Sequence, residues 1–218
     1  MSAQLHVADA PAPTQDAVVT LTTGAVGGHV GLLYRAESGG CHRHLQLAWH
    51  LDAHDDEPDE RLAWVEPAFV DDLGTVRAAA RLVARRLDDG EIPYALMRRD
   101  ARFDRVGQLQ LGVSLGLTCA TFVLLVFELA AIQLLDETSW LEGRDASRKA
   151  EDLLAQRRIV AFLERTDPRH AAHIAGELGA VRVRAEEVAA ASGLAPHPVM
   201  YAAAAPEGER LLREVRGA

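Results

Sequence analysis

The chain has 218 residues, 49% of them hydrophobic, which suffices for one domain with a real core and is marginal for two small ones. It carries 23 basic and 32 acidic residues, a net charge of −9, and has no basic block or interleaved aromatic-basic patch, which argues against nucleic acid as a partner. Two cysteines, Cys41 and Cys119, do not make a disulfide framework and fit a reducing cytoplasm. Residues 1–16 show no charged n-region followed by an apolar h-region, so no signal peptide is read there, and the segment is expected to be a short disordered lead.

In chain order, "AVVTLTT" (17–23) predicts a strand and "GAVGG" a glycine-rich turn. "HVGLLYR" (29–35) and "HLQLAWHL" (44–51) are two further β-like runs around "AESGGCHR", which has the chemistry of a hairpin loop. "LDAHDDEPDE" (51–60) reads as a solvated acidic loop, and "RLAWVEP" (61–67) as a further strand. Residues 69–88 have apolar positions at helical spacing with arginines opposite, and "DDG" ends that helix. "IPYALM" is too short to assign. Beyond Asp136 come three helices: 147–166, then "DPRHAAHIAGELG" with Asp167 as N-cap and Pro168 at the first helical position, then "RAEEVAAASGL" stopped by Gly193. The expected organisation is a lead (1–16), a core (17–136) and a helical extension (137–218) packed on it, whose faces could also receive a protein partner.

The uncharged run 106–127 is long enough to raise a membrane span. Gln108, Gln110, Ser114 and Thr118 dilute it, Arg105 and Glu128 bound it, and Gly107, Gly112 and Gly116 break its first half, so a membrane partner is disfavoured. The apolar stretch after Leu117 reads instead as the central helix of a globular core.

Cys119 opens that helix, and Thr118 is placed to cap it. A thiol at a helix N-terminus feels the positive end of the dipole, which favours the thiolate. The unpaired N–H groups of the same turn, from Thr118 and Cys119 onward, can hold an oxyanion. A nucleophile also needs a base. Strand alternation puts His29, Gly31, Leu33 and Arg35 on one face of the first run, and His44, Gln46, Ala48 and His50 on one face of the second. Pairing Arg35 with His44 sets His29 opposite His50, so His29 is the expected base and His50 the residue that orients it, with His44 as the other choice. Cys41, His42 and His44 lie in a turn and are not read as a metal site; His170 and His173 are read as exposed.

The order "GHVGLLY", a second strand with a polar residue facing the histidine, then "LTCATFVLLVF", resembles the circularly permuted papain-like proteins, the NlpC-like branch that includes lecithin retinol acyltransferase-like enzymes. The resemblance spans roughly residues 17–135. It implies an α+β fold in which a small antiparallel sheet packs on a central apolar helix, with the C-terminal helices as an addition. It implies thiol chemistry on a peptide, amide or acyl-ester carbonyl, with Cys119 as nucleophile, His29 as base and His50 as the polar third member, and with no metal or organic cofactor. A peptidase or amidase is favoured over a lipid acyltransferase, because the acidic surface does not suit anionic membranes. Two other classes predict different things. An inactive binding module would bury Cys119 with no histidine in reach, and a membrane-anchored protein would use 106–127 as its span.

Overall fold

A computed structural model of the chain describes residues 2–7, 12–24, 27–36, 40–59, 62–87 and 91–218. The fold is α+β. Six strands, β1 (Leu5–His6), β2 (Ala17–Gly24), β3 (Gly27–Arg35), β4 (His42–Trp49), β5 (Asp52–Asp56) and β6 (Ala63–Val65), form one antiparallel sheet in the order β1-β6-β2-β3-β4-β5. Seven α-helices are found among the described residues: α1 (Leu73–Ala84), α2 (Cys119–Leu129), α3 (Glu137–Gly143), α4 (Ala146–Thr166), α5 (Pro168–Ile174), α6 (Ala185–Ser192) and α7 (Tyr201–Gly217).

Alternation decides which side of the sheet faces the core. Val30, Leu32 and Tyr34 of β3 and Leu45 and Leu47 of β4 are buried in one hydrophobic cluster with Phe122, Leu125 and Val126 of α2. Helix α2 packs on β3 and β4, and nine consecutive residues from Cys119 to Phe127 are buried, so the helix is apolar all round because protein surrounds it. Residues 106–117 are mostly turns and extended chain rather than a continuation of α2. No helix among the described residues is long and apolar enough to cross a membrane.

The C-terminal half shares this core. Every residue of α6 is buried, and the helix packs on β2, β3, β6 and α7. A buried Arg144 ties the helices together. Its Nη1 donates to Asp152 at 2.8 Å and its Nη2 to Glu187 Oε2 at 2.6 Å, while Trp140 Nε1 donates to the same Glu187 at 2.8 Å. Both ions of each pair are partnered several times over, the condition under which a buried charge is tolerated.

Several expectations are corrected. The lead is not uniformly without structure: Leu5 and His6 pair with Val65 and Trp64, and the His6 ring stacks on Trp64 at 3.8 Å. The stretch read as an acidic loop holds β5, which pairs with β4 from Trp49↔Asp52 to His44↔Asp56. Acidic side chains on an edge strand keep other chains from adding to the sheet, so charge there does not mark a loop. The β3–β4 register also differs by two residues: Arg35 pairs with His42 and Leu32 with Leu45, and Ala36 N–H donates to Cys41 O at 3.2 Å. The hairpin thus closes more tightly than expected, with less loop to order. Residues 37–39 of that loop, Ala25 and Val26 of the glycine-rich turn, and the "DDG" helix stop lie outside the described residues.

Candidate active site

The pairing of β3 with β4 ends at Leu32↔Leu45, whereas β3 stays paired with β2 down to Gly27. The N-terminus of α2 meets β3 where this ladder stops. A backbone N–H no longer needed for the ladder, that of Val30, is there to donate to Cys119 Sγ. The helix start is fixed locally. Thr118 is extended, its Oγ1 accepts from Thr121 N–H at 3.1 Å, and its own N–H donates to Thr121 Oγ1 at 2.8 Å, a reciprocal cap.

His29 stands beside the thiol at the cavity end of β3, within hydrogen-bonding reach of it. Its Nε2 bonds Gln46 Oε1 at 2.8 Å, which leaves Nδ1 for Cys119. Continuing the observed register puts His29 opposite Ala48 and diagonal to Gln46, within reach of a long side chain. Burial alone would lower the imidazole pKa, but the hydrogen bond and charge of Cys119, with the bond to Gln46, raise it above 6.5. Burial alone would raise the thiol pKa. The bond and charge of His29, the Val30 N–H and the Arg182 guanidinium outweigh it and bring the thiol below its ordinary 9.0. Both shifts point to a thiolate–imidazolium pair.

The residue that holds the far nitrogen of His29 is therefore Gln46, in place of the expected His50. His50 falls in the β4–β5 turn, where the strand face no longer carries it toward His29. Its Nδ1 accepts from Tyr94 N–H at 3.2 Å, its Nε2 lies 3.3 Å from Asp167 Oδ2, and its ring stacks on His170 at 4.6 Å. His170 is half-buried rather than exposed, and its Nε2 donates to Tyr94 O at 2.6 Å. His44 does not hold the His29 ring either. It bonds Thr20 Oγ1 at 3.0 Å, while Thr20 Oγ1 also accepts from Gly31 N–H at 3.1 Å. Gly31 is small to make room for this histidine: a Cβ there would lie 2.4 Å from His44 Nε2. Burial first, and then the charge of His29, push His44 down to about 4.

Two site residues have no signal in the sequence pattern. The unassigned "IPYALM" segment pairs with Leu117, two residues before α2: Leu117 N–H donates to Pro93 O at 2.9 Å and Ala95 N–H to Leu117 O at 3.0 Å. Gly116 permits this approach, since a Cβ would lie 2.1 Å from Pro93 O and the backbone φ is +153°. Tyr94 is thereby set against Cys119, with its hydroxyl near both the Cys119 N–H and Sγ. Burial, followed by the negative charge of Cys119, holds the phenol pKa well above 10, so Tyr94 is an O–H donor. Arg182, in the extended chain before α6, is the other.

A cavity of about 600 Å³ opens over these groups. Cys119, which is 3% exposed, lies at its floor with His29 and Tyr94. Trp49 stacks obliquely on Tyr94 at 4.9 Å, and Phe162 meets Trp49 edge-on at 5.1 Å, giving an aromatic wall. The chain matches no protein-family model, no curated protein and no solved structure.

Proposed function

We propose that this chain is a cysteine-dependent hydrolase of permuted papain-like fold, acting on an amide or ester carbonyl. One observation carries the reading: a thiol at a capped helix N-terminus meets an imidazole whose other nitrogen is held by an amide. That is the nucleophile–base–orienter arrangement, and it recurs on unrelated folds because each group answers one chemical need.

The Cys119 thiolate attacks the carbonyl carbon, and the C–O π pair moves onto oxygen. The Cys119 N–H and the Tyr94 O–H are the donors available to that oxyanion, held in place before the reaction by the helix start and the Leu117 pairing. The imidazolium of His29 then gives its proton to the leaving amine or alcohol as the C–N or C–O bond breaks, leaving a thioester on Cys119. Water, deprotonated by the now neutral His29, attacks the thioester, and the acid product leaves with the thiolate restored. Gln46 accepts from Nε2–H throughout, which keeps the ring oriented toward sulfur. Of the two features expected of an inactive module, Cys119 is buried, while the proximity of His29 to its thiol favours the hydrolase.

An activated ester tests this. With p-nitrophenyl acetate at pH 6.5, we expect release of nitrophenolate and an acetyl group on Cys119, detected by peptide mass spectrometry. Acetylation confined to the exposed Cys41, or none, overturns the reading.

A further inference from the structure

Among the described residues, the cavity over Cys119 is lined by three arginines, Arg158, Arg165 and Arg182, and by no acidic residue. In a chain with nine more acidic than basic residues, that local excess is opposite in sign to the whole. Arg158 and Arg165 lie on α4 at helical spacing with Ala161 and Phe162 between them, so one face of the helix overhangs the cavity. Both arginines are exposed at the rim, and neither has an ion pair among the described residues; Arg165 rests on the Phe162 ring at 5.5 Å.

Arg182 is different. It is only 7% exposed, its Nε has no hydrogen-bond partner, and its guanidinium makes no ion pair among the described residues. A buried guanidinium nitrogen without a hydrogen-bond partner is costly unless something completes it, and the charge of the group is met so far only by the neighbouring Cys119. Its backbone is fixed, because its carbonyl accepts from the buried Arg144. The acids lining the adjoining cavity of about 430 Å³ are taken by other cations: Glu151 and Asp152 by Arg184, and Glu209 by Arg148. Glu186, also there, lies over Gly28 and does not pair with Arg182.

We infer that the substrate of this site carries an anionic group, a carboxylate or phosphate, which Arg182 binds beside the scissile carbonyl while Arg158 and Arg165 draw it in. This rests on the hydrolase reading and narrows it to anionic acyl compounds with an apolar body against Trp49 and Phe162. A guanidinium suits either oxyanion because its planar fork offers parallel N–H donors.

The test compares two thiol reagents of nearly equal size, iodoacetate and iodoacetamide, on the folded protein. Each forms an S–C bond and expels iodide, so the ratio of their rates cancels the thiolate fraction and reports the charge preference of the site. We expect that ratio at Cys119 to exceed the ratio at exposed Cys41 by about tenfold or more, and to fall to the Cys41 value in Arg182→Met. If Arg182→Met does not fold, Arg158→Ala/Arg165→Ala, altered only at the exposed rim, must lower the ratio severalfold, and added salt must do the same in the unaltered protein. Equal ratios at the two cysteines overturn the inference and leave the nucleophile standing. Inertness of Cys119 to both reagents overturns the hydrolase reading and this inference with it. Protection against iodoacetamide by phenylacetate assigns a carboxylate, protection by phenyl phosphate assigns a phosphate, and protection by neither overturns the anion site.

Discussion

His29 and His50 both come from the β3–β4–β5 ribbon, and both are hydrogen-bonded through two ring nitrogens, yet their surroundings push them in opposite directions. His29 faces a thiol on one side and an amide oxygen on the other, and its pKa rises. His50 accepts a backbone N–H and lies against a second histidine; burial, then the charge of His170, lowers its pKa despite Asp167. A histidine that holds a proton beside a thiol has the state that the proposed chemistry needs. One prepared to stay neutral holds chain in place, and here the chain it holds carries Tyr94 into the site. One histidine of a strand and one of a neighbouring turn are thus placed around one thiol at different removes.

The comparison breaks most visibly at His29. In His29→Gln the thiol keeps its burial and loses the groups that favour its charged form. At pH 6 a thiol of ordinary or higher pKa is ionised to about one part in a thousand. We expect iodoacetamide alkylation of Cys119 at pH 6 to fall by at least about tenfold, roughly 1.4 kcal/mol, and the rate to decline at a higher pH in the variant than in the unaltered protein. A variant that alkylates within threefold of the unaltered protein would remove His29 from the site. Cys41, exposed and showing no such partner, is the internal control.

His44 sharpens the comparison through stability. It lies on the same strand face as Gln46 but is buried against Thr20, with His29, Asp56, His54 and Asp59 as its charged surroundings. Its folded pKa of about 4 is below the ordinary 6.5, so the unfolded chain takes up a proton that the folded chain refuses. The contribution is fully present above pH 6.5 and is lost as pH falls through about 4, a loss of about 3 kcal/mol. In His44→Gln this part of the acid limb should disappear. Urea unfolding of both proteins at pH 7 and at pH 4.5 measures it, and parallel losses in the two would contradict the assignment.

These residues also mark where the sequence stops being informative. Strand and helix periodicity gives β2, β3, α1 and α4 to α6, and the cap Thr118 with its cysteine is local chemistry that can be read directly. Parity alone places His29, His44 and Gln46 on one face, because a shift of two residues leaves parity unchanged. Which rung faces His29 depends on how tightly the hairpin closes, and "AESGGCHR" does not determine that. Asp52–Asp56 hides a strand because its pairing is through the backbone while its side chains are those of a protected edge. Tyr94 and Arg182 come from segments with no period at all, and reach the thiol only through packing against Leu117 and the Arg144 network. Local pattern can find a nucleophile; the groups that converge on it from distant chain require the fold.

The finest division lies between Gln46 and His50, the two candidates for orienting the base. Gln46→Ala removes the acceptor at His29 Nε2 and leaves the ring free to turn from sulfur, so the expected loss in Cys119 alkylation at pH 6 is about tenfold, close to 1.4 kcal/mol for one charge-assisted hydrogen bond. His50→Asn should leave that rate within threefold, because an amide oxygen can still accept from Tyr94 N–H. Its cost should appear in unfolding, about 1 kcal/mol for poorer bonds and lost stacking, or a melting temperature lower by a few degrees. The two readouts separate the roles. An orienting residue changes the rate and its pH profile with little effect on melting, and an anchoring residue does the reverse. A tenfold rate loss in His50→Asn with Gln46→Ala unaffected would restore His50 as the third member and would require a hairpin register unlike the one observed.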